Sequence, residues 1–273
     1  MNKIGIIAAK GNLSKKLIDH ARNHFDLFIV AINGETDSAL LEGIDHIWVN
    51  IGEIGMAMDA MRKANIVEVV FVGSLKKPDI FSLSVDKMGA KLLAKIVKDK
   101  FFGDNKLLSV LTDFLEDNGF KVIGVQEILK DLVVEVGEFT VLKPSEQDRL
   151  DIELGLKVVK ELGMLDIGQG AIIENGVVLG VEAIEGTDNL IKRCGELKRT
   201  QAAGGVLIKL SKPNQELRMD LPTIGIETIK NMHISGFKGI VIEARKAIFL
   251  DKEEVIAFAN KHEMFVSALL VHQ

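Results

Sequence analysis

The sequence predicts an α/β protein in two parts: a Rossmann-like N-terminal domain with a parallel sheet, and a mixed α/β C-terminal domain. Three observations lead there. Short continuous apolar runs alternate with stretches of helical periodicity through the first half, the pattern of a parallel sheet covered by helices. Periodicity is lost between residues 133 and 144. Beyond that point an Asn175-Gly176 pair sits between two apolar runs, a hairpin signal that requires an antiparallel pair. Residues 1–132 are therefore expected as the first domain, 133–144 as a linker and 145–273 as the second.

Lys3 to Ala9 is a continuous apolar run suited to a central parallel strand. Lys10-Gly-Asn12 turns the chain, and Leu13, Leu17, Ile18 and Ala21 then recur at helical spacing. Strands are expected at Asp26–Ile32, Asp45–Asn50, Val67–Gly73 and Lys121–Val125. Gly52-Glu-Ile-Gly55 opens a helix whose apolar face includes Ile54, Met58 and Met61; two more helices fall near Lys87–Lys98 and Asn105–Asn118. In the second part, Ser145 is the expected N-cap of a helix to about Leu162, with Asp148 suited to its dipole. Ala171–Glu174 and Val177–Ile184 form the hairpin. Helices follow at Asp188–Leu197, Thr223–Ile234 and Lys252–Lys261, and strands at Gly205–Leu210, Lys238–Ala244, Ala247–Leu250 and Met264–Leu270.

Composition narrows the function. The chain has 273 residues, 47% hydrophobic and 27% charged, which describes a globular core and not a disordered chain. A net charge of -5 argues against a general nucleic-acid binder. The absence of tyrosine and the single Trp48 disfavour stacking platforms for single strands. One cysteine, Cys194, allows no internal disulfide, as expected in a reducing cytosol. No apolar run approaches the ~20 residues of a membrane span, and the N-terminus opens as a strand without a signal-peptide pattern.

Four stretches concentrate chemistry. Ala8-Ala-Lys-Gly11-Asn12 is a strand–turn–helix junction whose amides can meet an anion, although it lacks G-x-G-x-x-G and reads equally as an ordinary turn. Gly73-Ser-Leu-Lys76-Lys77-Pro78 lies at a strand's C-terminal end, where open α/β sheets bind ligands; its lysines suit phosphate or plain solvent. Glu182, Glu185 and Asp188 surround Gly186-Thr187, and carboxylates of this kind take hard cations such as Mg2+ together with phosphate oxygens; Thr187 or Asp188 reads equally as a helix cap. Lys209, Lys212, Arg218 and Asp220 form the densest mixed-charge cluster. Arg218 can grip phosphate with a bidentate fork, and Pro222 stiffens the chain behind Asp220; the plain alternative is a surface ion-pair loop. The six scattered histidines and Cys194 read as structural.

Gly52-Glu-Ile-Gly55, Val70-Phe-Val-Gly73 with Lys77-Pro-Asp79, Asp166-Ile-Gly-Gln169, Val181-Glu-Ala-Ile-Glu-Gly-Thr-Asp188 and Asp220-Leu-Pro-Thr-Ile-Gly225 occur in this order. With them the chain resembles, over nearly its whole length, the LpxI-type UDP-2,3-diacylglucosamine pyrophosphatases of lipid A biosynthesis. The family's opening pattern, similar to A-G-x-G-x-L-P, departs here to Ala8-Ala-Lys-Gly-Asn-Leu-Ser14.

The resemblance implies Mg2+-dependent hydrolysis of UDP-2,3-diacylglucosamine to UMP and 2,3-diacylglucosamine 1-phosphate (lipid X). It implies a cytoplasmic protein peripheral to the inner membrane and a homodimer; the net charge argues against a nucleic-acid partner. Asp220 corresponds to the family's catalytic aspartate. On this reading Asp220 binds Mg2+ or orients water, Asp188 and Glu185 assist the metal, and Gln169, Thr187, Lys209, Lys212 and Arg218 hold phosphates and sugar. Gly11, Asn12, Gly73, Lys76 and Lys77 complete the expected substrate contacts. Glu182 is left out of the metal site, because strand alternation points it away from Glu185. The acyl chains need an apolar groove, most simply between the domains; Met56, Met58, Met61 and Met88 are candidates, although methionine at helical spacing is more often core. Two other classes compete: a non-catalytic nucleotide or lipid sensor on the same scaffold, and a nicotinamide-dependent oxidoreductase, which the missing glycine fingerprint disfavours.

Overall fold

A computed structural model of the chain describes residues 2–75, 83–98, 104–198, 202–213 and 215–271. They divide into two compact units. The first holds Met1–Lys130 and, from far along the chain, Glu216–Asp220; the second holds Asp131–Gln215 and Leu221–Gln273.

The first unit runs β1 (Lys3–Ala8), α1 (Asn12–Ala21), β2 (Asp26–Ile32), β3 (Asp45–Val49), α2 (Ile54–Lys63), β4 (Glu68–Val72), α3 (Lys87–Lys98), α4 (Asp104–Asp117), β5 (Lys121–Ile123) and α5 (Val125–Ile128). Its sheet has the order β3-β2-β1-β4-β5 with every pairing parallel. The apolar run of β1 is explained by its central place, paired on both sides. Met58 and Met61 of α2, Leu92 and Ile96 of α3, and Phe114 and Leu115 of α4 pack on Val30, Val49, Val69 and Val122 of one face. Helices α1 and α5 meet each other and β4.

The glycines of Gly52-Glu-Ile-Gly55 are explained by packing. A Cβ on Gly52 would stand 2.1 Å from the Ser84 carbonyl oxygen, and one on Gly55 2.9 Å from Asp86 Oδ2. Asp86 ties two helix starts at once. Its Oδ2 accepts from the amides of Gly55 (2.7 Å) and Met56 (3.1 Å) in α2, and its Oδ1 from Gly89 (2.7 Å) in α3.

The returning segment is anchored by polar contacts. The Glu216 amide donates to Asn105 Oδ1 at 2.7 Å, and Gln126 donates to the Leu217 carbonyl at 3.3 Å. Thr112 donates to the Met219 sulfur at 2.7 Å. Arg218 is held by two carboxylates: its Nε and Nη2 bond both oxygens of Glu216, and its Nη1 bonds Glu116, at 2.7–2.8 Å.

The second unit runs β6 (Gly137–Glu138), α6 (Glu146–Met164), β7 (Gly170–Glu174), β8 (Val177–Val181), α7 (Thr187–Glu196), β9 (Val206–Lys209), β10 (Thr223–Ile224), α8 (Ile226–Ile234), β11 (Gly239–Glu243), β12 (Ile248–Phe249), α9 (Lys252–Lys261) and β13 (Phe265–Leu269). The main sheet has the order β6-β13-β11-β9-β7-β8; β9, β11 and β13 are parallel, and β6, β7 and β8 join antiparallel. One face carries Ile172, Leu207, Ile240, Ile242 and Val266 against α7, α8 and α9. The other carries Ala171, Ile173, Ile208, Val241 and Phe265 against α6. The Asn175-Gly176 turn forms as expected, both residues at positive φ (52° and 77°), and the buried Asp151 accepts from both amides. Ser145 and Asp148 form a reciprocal cap at the start of α6.

Two stretches depart from the sequence-based expectation. Residues expected as a linker begin inside the second unit: Val134 donates to Ala247, Phe139 donates to Val266, and β6 pairs with β13. The helix expected from Thr223 starts at Ile226, because Thr223 and Ile224 first pair with β12. Both result from contacts distant in sequence, which local periodicity does not encode.

Two outcomes are expected. Asp86→Ala strips charged caps from two helices and should cost about 1–3 kcal/mol, read as a lower urea midpoint. The Arg218 hydrogen bonds hold the Glu216 carboxyl below its ordinary value of 4.5, against the opposing effect of burial. Its pairing therefore stabilises the fold above that pH and is lost as pH falls through the lowered value. Glu216→Gln should lower Tm at neutral pH, and the gap to wild type should close as the pH drops below 4.5.

Candidate functional site

In the first unit the strand order reverses between β1 and β4, so the crevice beyond their C-terminal ends is where an open α/β sheet takes a ligand. The two turns named from sequence meet there. Ala9 donates to the Val72 carbonyl and Ser74 to that of Lys10, each at 2.8 Å. Gly73 has φ 101°, and a Cβ on it would stand 2.5 Å from Ser14 Oγ and 2.6 Å from Ala9 backbone atoms, so only glycine fits. Gly11 caps α1 and Asn12 is its first residue; both are exposed. Lys10 is paired with Glu35 at 3.3 Å. Lys76 and Lys77 lie outside the described residues.

Beside this crevice the first unit contains an apolar cavity of about 210 Å³. Ile7, Val30, Met58, Met61, Leu111, Leu115 and Met219 line it, with Gly73, Asn50 and Glu53 among its few polar contributions. Of the methionines named from sequence, Met58 and Met61 are in the lining and Met56 is exposed. Met88 packs beside the core and is not in the lining.

In the second unit one edge of the sheet gathers polar residues. It is formed by the C-terminal ends of β8, β9 and β11 and the start of the antiparallel β7. Lys209 ends β9, is 7% exposed, and donates to the Thr223 carbonyl at 3.2 Å; among the described residues no carboxylate pairs with it. Glu243 ends β11, accepts from the amide and hydroxyl of Ser211, and pairs with Lys246 at 2.8 Å. Gln169 precedes β7, and its Oε1 is buried with no hydrogen-bond partner. Glu182 follows β8, is 5% exposed, and accepts from Thr187 Oγ1 at 2.8 Å through Oε1; its Oε2 is buried and unpartnered.

The remaining candidates are engaged. Lys212 Nζ is 2.7 Å from Asp166 Oδ1, so the Asp166-Ile-Gly-Gln169 motif supplies its counter-charge. Glu185 is bound by Arg193 at 2.7 Å, which holds its carboxyl below the usual range. Asp188 accepts from Asn231 at 3.1 Å. Arg218 has both sides of its fork on carboxylates, which makes it an anchor of the returning segment and not a vacant phosphate grip. Asp220 is exposed and belongs, with Arg218, to the first unit, whereas Lys209, Lys212, Thr187, Asp188 and Glu185 belong to the second. Among the described residues no three His, Cys, Asp or Glu side chains gather to hold a metal. Burial pushes the Cys194 thiol up, as expected of a structural cysteine.

Sequence reading missed Asp86 and the orphaned oxygen of Glu182. An acid immediately before the Lys87 helix was a legible signal for Asp86. Nothing local announces the second, because it depends on which strands flank β7.

Comparison with known proteins follows the two-part layout. The LpxI N-terminal domain model matches residues 3–132 and the LpxI C-terminal domain model residues 135–267. The UDP-2,3-diacylglucosamine pyrophosphatase LpxI of Caulobacter vibrioides is 36% identical over 274 aligned positions, covering 97% of each chain. Among solved structures, N5-carboxyaminoimidazole ribonucleotide synthetase from Thermotoga maritima aligns at a TM-score of 0.23 with 15% identity over 75% of this chain and 45% of its own, too slight a likeness to argue from. With both domain models matched in order and a relative this similar along its whole length, the chain belongs to the LpxI family.

Proposed function

We propose that this protein hydrolyses the pyrophosphate of UDP-2,3-diacylglucosamine to UMP and 2,3-diacylglucosamine 1-phosphate, with Mg2+, in lipid A biosynthesis. The observation behind the reading is the full-length similarity to a Caulobacter protein named for that activity. Physical features of the chain support it. An ester-linked diphosphate resists attack until its charge is neutralised, and positioned cations with a polarised water do most of that work. Lys209 is a buried cation that no carboxylate pairs with among the described residues, and it is proposed to hold phosphate. Gln169 and Thr187, at the same sheet edge, are proposed to contact phosphate or sugar. Asp220, exposed in a short segment anchored on both flanks, is proposed to orient the attacking water and to supply a carboxylate for Mg2+. Bound Mg2+ would neutralise phosphate charge and acidify water. The crevice at Gly11, Asn12 and Gly73 is the proposed nucleotide contact.

The lipid half of the substrate needs an apolar host. The cavity lined by Met58, Met61 and Leu111 is proposed to receive an acyl chain. No helix among the described residues is long and apolar enough to cross a membrane. Peripheral contact with the cytoplasmic face of the inner membrane, as a homodimer, completes the proposal.

Three results are expected from an assay of UMP release. Chelation should abolish turnover and added Mg2+ restore it; equal rates with and without chelator would remove the metal. Asp220→Ala should lower kcat on the order of 10²–10³-fold; full activity in the folded variant would remove its role. Leu111→Trp should narrow the cavity and raise KM more for long-chain than for short-chain substrates. At about 0.8 kcal/mol per CH2, two methylenes left unburied correspond to roughly tenfold.

A further inference from the structure

Glu182 is an acidic residue of the second unit with one carboxylate oxygen buried and unpartnered among the described residues. Its amide donates to the Gly170 carbonyl at 2.8 Å, which continues the β7–β8 ladder one step beyond the strand. Gly170 is paired on its other side with Lys209. Glu182, Gly170 and Lys209 therefore form one row across three neighbouring strands, and their side-chain positions share a face. The glycine in the middle matters. A Cβ there would lie 2.7 Å from Glu182 Oε2, so only its absence lets the carboxylate lean across the row toward Lys209. One end of the row is a carboxylate with a buried, unpartnered oxygen, and the other is a lysine whose hydrogen-bond partner is the Thr223 carbonyl. A buried acceptor left unmade costs about 1–3 kcal/mol, and more when it is charged. A lysine in the same row opposes a cation at Glu182 Oε2, and no three-ligand metal group is present among the described residues. What satisfies both ends together is a ligand carrying a hydrogen-bond donor next to an anion.

We infer that Glu182 and Lys209 form a sugar-phosphate site, in which Lys209 Nζ holds the phosphate and Glu182 Oε2 accepts from an N–H or O–H on the sugar carbon adjacent to the phosphorylated one. This rests on the proposed substrate, a 1-phosphorylated glucosamine whose neighbouring carbon bears an amide N–H. Glu182 is then the residue that distinguishes a phosphate attached to such a sugar from a bare phosphate. Thr187 positions it by holding Oε1.

The test is equilibrium binding to the full-length chain of two probes, N-acetylglucosamine 1-phosphate and inorganic phosphate. Wild type should bind the sugar phosphate at least tenfold more tightly. Glu182→Gln, which keeps the shape and the Thr187 contact, should lose about tenfold for the sugar phosphate, leave inorganic phosphate unchanged and keep the unfolding midpoint. Glu182→Asp, which withdraws the oxygen by one methylene, should show the same selective loss and decides the matter if the Gln variant does not fold. Sugar-phosphate binding equal to wild type in either folded variant, equal loss of both probes, or no binding of either probe by wild type would each overturn the inference. UMP release is scored separately. Turnover by wild type with no Glu182 dependence in binding removes this inference alone; Glu182-dependent binding without turnover removes the pyrophosphatase reading alone.

Discussion

A guanidinium held between two carboxylates fixes where the most conspicuous acid of the sequence is displayed. Arg218 bonds Glu216 through two nitrogens and Glu116 of α4 through a third. The segment it secures leaves the second unit after Gln215 and returns to it at Leu221, so Asp220 is presented on the frame of the first unit. The ion pairs alone are half-exposed and contribute little. Their number, with the Asn105 and Gln126 hydrogen bonds and the Met219 side chain, is what gives a five-residue excursion a defined place.

That assignment changes the meaning of the charged cluster. Lys209, Lys212, Arg218 and Asp220 look like one loop's worth of chemistry when read along the chain. In the fold they have different duties. Arg218 anchors, Lys212 is neutralised by Asp166, and Lys209 is buried at a sheet edge with a carbonyl as partner. Charge density in sequence does not sort structural cations from those with capacity to bind.

Much of the scaffold was legible because its signals are local. The apolar run of β1, the Asn175-Gly176 turn and the Ser145–Asp148 cap each act within a few residues, and each takes the expected form. The features that escaped depend on distant pairing. The start of the expected linker joins the second unit through Ala247 and Val266. The glycines of Gly52-Glu-Ile-Gly55 answer to Ser84 and Asp86, roles that a motif cannot state. Glu182 was set aside because alternation points it away from Glu185. Strand alternation turns its side chain to the other side, toward Gly170 and Lys209.

On the proposed function this chain cleaves the diphosphate of a sugar-linked nucleotide bearing lipid chains. The most direct measurement is mass-spectrometric identification of the products formed from purified UDP-2,3-diacylglucosamine. The account predicts UMP and 2,3-diacylglucosamine 1-phosphate in equal amounts. Release of UDP with unphosphorylated sugar lipid, or no turnover with Mg2+ present, would contradict it.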